Sequence, residues 1–286
     1  MEITRPTKDS ICYRANSWMD FVDYAKTAKS PLDEVERLSR ISESYKRQNR
    51  GGKGWYGTED MADAFDKATN GWMEAETFGK TYSMPIVDRI TNKITKEDIS
   101  HDVEGAGIDI ARFLDGEPEC WQKFSEREDL GYRVIKMVYN IACLSDVNFE
   151  DIQKKGAIVC SLIECMEYAG FRVELTVAMS TDASYGVNPA HIDMLIPVKA
   201  ADQPIDMAKL MFAVGNASVQ RRLGFAIREC MPTDMIKKFD LPNSYGISAE
   251  STEKGDVYLS HGIVPTKKIE RWILDQLSKQ GVKFHE

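Results

Sequence analysis

Apolar positions in the second half of the chain fall into runs with two distinct periods. Tyr132 to Leu144 is β-branched and mostly apolar, which predicts a central strand. Ile152 to Ala169 carries apolar residues at helical spacing and meets Gly170, so a helix is expected to end there. Phe171–Met179 and His191–Val198 predict two further strands. Their connection, Ser180 to Ala190, is too short for a helical crossover, so the two strands should pair antiparallel. Asp206–Ala213 and Val219–Ile227 read as helices, and Asp256–Ser260 reads as a fourth strand. Pro265–Gln280 predicts a last helix with Ile269, Trp272, Ile273 and Leu277 on one face. The order β-α-β-β-α-β-α predicts an α/β domain with a mostly parallel sheet over residues 126–286.

Residues 1–125 read as a mainly helical region. Trp18, Phe21, Val22 and Ala25 recur at helical spacing behind Ser17, a favoured N-cap residue type. Ser30-Pro31 opens a second helix that runs towards Arg47 with Leu32, Val35, Leu38 and Ile41 as its stripe. A third helix, starting at Thr58 or Asp60, carries Met61, Ala64, Phe65 and Ala68 and stops at Gly71. Another helical stretch runs from Trp72 towards Pro85 and Ile94, and His101–Leu114 alternates in part and reads as a strand alone or a strand followed by a short helix before Gly116-Glu-Pro118.

Composition narrows the setting. The 286 residues suffice for one large or two modest cores. A net charge of -8 argues against broad binding to nucleic acid or anionic membranes and leaves room for a local basic patch. No apolar run approaches the roughly 18 residues that span a bilayer, and the polar start Met1–Asp9 lacks the apolar core of a signal peptide. A cytoplasmic protein is therefore expected. The six cysteines are scattered without a Cys-x-x-Cys pair, which fits a reducing compartment and structural thiols.

Ala142-Cys-Leu-Ser-Asp-Val-Asn148, followed by the helix and strand from Gly156 to Leu175, resembles the opening of a von Willebrand factor A domain. There a first strand ends at a metal-binding loop, a long helix follows, and a second strand pairs with an antiparallel third. The resemblance covers about half the chain and is one of pattern. The family's Asp-x-Ser-x-Ser motif is replaced by Cys143-Leu-Ser-Asp-Val-Asn148, with Ser145 and Asp146 in reversed order. Members without the motif keep a binding or structural role, so the resemblance implies an interaction platform. The whole chain also resembles a family of bacteriophage proteins without assigned activity. Gly71-Trp-Met-Glu74, Gly116-Glu-Pro-Glu-Cys120 and Val219-Gln-Arg-Arg-Leu-Gly-Phe225 carry that likeness, which implies the cytoplasm of an infected bacterium.

Three groups of residues could carry chemistry. Ligands of open α/β sheets bind beyond the carboxyl ends of the parallel strands. Asp146, Asp182 and His261 follow three of the expected strands, and His191 starts the reversed one, so all four share that edge. Such a set could hold a divalent metal or act as acid and base. Polar loops that are simply wet are the favoured account, and Asp146 suits an N-cap of the following helix as well as a ligand. Lys46, Arg47, Arg50 and Lys53 with Trp55 and Tyr56 form the best nucleic-acid candidate, because cations neutralise phosphates and aromatic rings stack on unpaired bases. The glycines there are not followed by Lys-Ser/Thr, so no phosphate-binding loop is implied. A linker with both rings docked on the domain is the competing account. Arg221, Arg222 and Arg228 could meet an anion or a partner's carboxylates, or close internal salt bridges. Glu164 and Glu167 read as a solvated face, and Met207, Leu210, Met211 and Val214 as core.

Three functions remain open. The favoured one is an interaction or adaptor protein without catalytic activity that contacts a protein partner. A single-stranded nucleic-acid-binding accessory protein comes second, and a metal-dependent hydrolase third. No cofactor is expected, with Mg²⁺ the divalent ion left open to the edge residues.

Overall fold

The computed structural model describes residues 1–28, 53–94, 99–105, 107–124, 133–184, 189–241 and 243–284. The helix expected from Ser30 to Arg47 lies outside them. The chain opens with a hairpin that its periodicity does not announce: β1 (Glu2–Thr7) and β2 (Ser10–Arg14) pair antiparallel. β1 is exposed along its whole length, so it has no apolar face to read, whereas β2 buries Ile11 and Tyr13 at alternate positions. In α1 (Trp18–Thr27), Ser17 Oγ accepts from the Asp20 N–H at 3.1 Å and Phe21, Val22 and Ala25 turn inward. A short α2 (Lys53–Tyr56) precedes α3 (Met61–Asn70), which Asp60 rather than Thr58 caps. Gly71 ends α3 at φ +93°, and α4 (Met73–Tyr82) and α5 (Met84–Thr91) follow.

Next come β3 (Ile99–Asp102), β4 (Gly107–Ile108), the one-turn α6 (Ile110–Leu114) and β5 (Trp121–Phe124). The three strands form a small antiparallel sheet with β5 in the middle.

The second half supplies most of the main sheet. Its elements are β6 (Val134–Asn140), α7 (Phe149–Tyr168), β7 (Arg172–Ala178), β8 (Thr181–Asp182) and β9 (His191–Lys199). After α8 (Met207–Gly215), a π-helical turn Val219–Gly224 leads into α9 (Phe225–Arg228), so the single helix expected over Val219–Ile227 changes hydrogen-bond register midway. α10 (Thr233–Phe239), β10 (Ile247–Ser248), β11 (Val257–Ser260) and α11 (Ile269–Lys279) complete the chain. The sheet runs β1-β2-β9-β7-β6-β11, with β8 paired to β9 and β10 paired to β8. β6 is parallel to both β7 and β11, β7 is antiparallel to β9 as the short connection requires, and β2 is parallel to β9. The fold is mixed α/β.

The two faces of this sheet differ. Ile135, Met137 and Tyr139 of β6, Val173, Leu175 and Val177 of β7, and Ile192, Met194 and Ile196 of β9 point to one side. There they share one buried cluster with Phe21, Ile158, Leu162, Phe212 and Ile273 from the helices, so residues on either side of position 125 build the same core. The other face holds a small separate cluster of Val138, Ala178 and Leu195, flanked by Cys12 and Tyr258. No helix residue among those described belongs to it. Lys136 stays exposed on that side, and residues 249–253 cover part of it through bonds to Asn140, Asp193 and Arg14. Antiparallel neighbours permit this one-sided layering, because alternation can place polar residues outward.

α7 crosses α8 at glycine. A Cβ on Gly156 would lie 2.3 Å from the Gly215 Cα and 2.9 Å from the Val214 carbonyl oxygen, so the two backbones touch there. Glu164 and Glu167 do not form a solvated face: Glu164 is half-buried, and Glu167 meets the buried Lys199 ammonium at 2.5 Å.

Candidate functional site

At the carboxyl edge of the parallel strands, consecutive polar residues of the π-helical turn reach into different loops. Gln220 acts as a mimic of backbone: its Oε1 accepts from the Cys143 N–H at 3.2 Å and its Nε2 donates to the Cys143 carbonyl at 3.1 Å. Arg221 donates to the carbonyls of Trp55 (2.8 Å), Leu144 (3.1 Å) and Val147 (2.6 Å), with its guanidinium 4.2 Å from the Trp55 ring centroid. Arg222 donates to Thr58 Oγ1 and to the carbonyls of Thr58 and Glu59, and stacks on Tyr56. Arg228 donates to the Tyr245 carbonyl at 2.6 Å.

All three arginines are buried, so the structure places them in the interior rather than before an anion or a partner. Their bonded acceptors are mainly carbonyl oxygens, not the carboxylates of internal salt bridges. Burial works against their charge, holding Arg221 and Arg222 below the usual guanidinium range and Arg228 at about 10.

The nucleic-acid candidate divides. Lys46, Arg47 and Arg50 lie outside the described residues. Lys53 is exposed and faces Glu59 at 3.3 Å. Trp55 and Tyr56 are half-buried, pack edge to face, and each carries a guanidinium on its ring; Trp55 Nε1 also donates to the Ser145 carbonyl at 2.8 Å. Both rings are docked.

The four candidate ligands separate as well. His191 Nδ1 and Asp182 Oδ1 are 2.7 Å apart across β8 and β9. Asp146 is exposed in the loop after β6, and Asn148 rather than Asp146 caps α7. His261 is buried behind β11; burial, with help from Lys155 and Arg221, pushes its imidazole down to about 4. Lys155 Nζ donates to the His261 carbonyl at 2.6 Å. Among the described residues, no three His, Cys, Asp or Glu side chains gather to hold a metal. Burial raises the Cys143 thiol despite Arg221 beside it, which disfavours a reactive thiolate.

Sequence reasoning passed over two features. Asp193 is a buried carboxylate that accepts from Ser180 Oγ (2.5 Å), Ser251 Oγ (3.0 Å), and the Thr252 N–H (2.8 Å) and Oγ1 (2.6 Å). It ties β9 to the loop before β11. The other feature is an apolar surface on the small sheet module: Ile110, Phe113 and Leu114 are 71%, 59% and 77% exposed, beside Ile108 at 42% and Val103 at 64%. Asp109 starts α6 by accepting from the Ala111 and Arg112 N–H groups, and its spacing turns Ile110, Phe113 and Leu114 to one side. That i, i+3, i+4 stripe was visible in the sequence; its exposure was not.

Residues 4–283 match the family described as a domain of unknown function (DUF7192). The chain belongs to this family. No curated protein and no solved structure matches it.

This DUF7192 chain also carries a cleft of about 790 Å³ at the opposite end of the sheet, where β9 ends. Trp18, Pro197, Lys199, Pro204, Asp206 and Leu210 are among its walls, and none of the candidate metal, nucleic-acid or arginine residues lines it. No helix described in this DUF7192 chain is long and apolar enough to cross a membrane.

Proposed function

We propose that this protein is a binding or adaptor protein that contacts a protein partner through the small sheet module, with the α/β body as its support. The observation that carries this reading is the face of Ile110, Phe113 and Leu114, because large apolar side chains grouped on one exposed face mark interaction surfaces in folded proteins. The strand order β9-β7-β6-β11, with β9 reversed, supports reading the sheet as von Willebrand A-like. The bacteriophage resemblance supports a partner in an infected bacterial cell.

A photo-reactive amino acid at position 114 tests the proposal, with one at exposed Lys279 as control. A discrete adduct from 114, absent from 279 and lost when Phe113→Ser is added, is the expected result. Equal adducts from both positions, or none from 114, would overturn it.

A further inference from the structure

We infer that the apolar face of α6 takes a basic amphipathic helix of a partner protein, an inference that rests on the binding reading above. The apolar face sits in an acidic stretch. Between residues 101 and 119 the chain has six carboxylates, Asp102, Glu104, Asp109, Asp115, Glu117 and Glu119, against the single cation Arg112. Asp109 is turned to its own backbone and to His101 at 3.1 Å, and Arg112 is held by Glu117 at 3.1 Å. Glu104 and Asp115 are exposed immediately beside Val103 and Leu114, and Glu119 is exposed a few residues on.

This charge selects among occupants. A second copy meeting the first about a two-fold axis would set the same carboxylates against one another. Anionic lipid and nucleic acid would meet the same repulsion. A helix with an apolar stripe between lysines or arginines satisfies both parts of the surface. Its stripe packs on the ridge formed by Ile110, Phe113 and Leu114, and its cations reach the flanking carboxylates.

The test uses the full chain and two synthetic helices of about 18 residues, long enough to hold helical structure. Both carry the same leucine stripe, one flanked by lysines and one by glutamates. Fluorescence anisotropy should show the lysine peptide binding at least about tenfold more tightly at low salt, an advantage that shrinks as salt screens it. Phe113→Ser with Leu114→Ser should weaken binding by about tenfold or more without moving the melting temperature, since both residues are exposed. Asp115→Lys with Glu119→Lys should remove the preference for lysine while leaving the apolar face intact.

If both peptides bind equally and the serine variant loses both, the charge inference fails and the binding reading survives. Lysine-peptide binding that ignores the serine variant comes from elsewhere on an acidic protein and overturns the inference; the crosslink from position 114 then decides the broader reading separately. Dimerisation abolished by the serine variant would make the occupant a second copy and would also overturn it.

Discussion

Arg222 lies 4.0 Å from the centroid of the Tyr56 ring, stacked on it, while its Nη2 donates to both the Thr58 and the Glu59 carbonyl at 3.0 Å. One side chain thereby fixes a segment more than 160 residues away in sequence. Removing it leaves buried acceptors without donors, which costs more than the bonds themselves contribute. Arg222→Met is expected to lower unfolding free energy by about 3 kcal/mol. Arg222→Lys should recover only a minor part, because an ammonium cannot stack as a plane while bonding in a fork. Urea unfolding of the full chain, followed by tryptophan emission, measures both.

The glycine contact between α7 and α8 gives a sharper contrast. Gly156→Ala would drive a methyl into the Gly215 backbone, and about 3 kcal/mol of destabilisation is expected. Gly79→Ala in α4 meets no heavy atom within 4 Å and should be neutral or stabilising by up to about 1 kcal/mol. Opposite signs from two identical substitutions in helices would confirm that the crossing distance, not helix propensity, governs Gly156.

Half-buried Glu164 and buried His261 oppose each other across one pH window. Burial, with Asp88 nearby, raises Glu164 from 4.5 to about 7, and burial lowers His261 from 6.5 to about 4. The raised carboxyl contributes stability below pH 4.5 that is lost as pH rises through 7. The depressed imidazole contributes stability present above 6.5 and lost as pH falls towards 4. Relative to the parent, Glu164→Gln should therefore gain melting temperature progressively from pH 4.5 to 7. His261→Gln should show a difference that moves in its favour as pH falls from 6.5 to 4. Difference melting curves from pH 4 to 8 read both slopes.

Asp193 holds the partial cover of the second sheet face. Asp193→Ala strands the donors of Ser180, Ser251 and Thr252 and should cost about 3 kcal/mol. Its local signature is hydrogen exchange: amides around Thr252 should exchange faster, while those of α7 keep their protection.

Legibility from sequence followed burial. β6, β7 and β9 stand out because their inward positions are almost uniformly apolar, and the Ser180–Ala190 length alone set the antiparallel pair. β1 escapes notice because Glu2 to Thr7 are all exposed and include Pro6, so nothing repeats. The arginines mislead for a related reason: charge reads as surface, whereas loop carbonyls with an aromatic plane for each guanidinium can receive Arg221 and Arg222 inside. Asp193 was hidden because its hydroxyl donors come from positions 180, 251 and 252, which no local pattern links. The stripe on α6 was legible as a helix face, but only the fold distinguishes an apolar face that is covered from one that is bare.

The hairpin at the start of the chain bears on the order of assembly. Ser10 aligns with His191 and Arg14 with Leu195, so β2, paired with β1 on one side, finds its second neighbour only after some 180 further residues have been added. At about 5–20 residues per second that delay is on the order of 10–40 s. During it Ile11 and Tyr13, buried in the finished sheet, lie beside β1 alone, with the β9 side of β2 still unpaired.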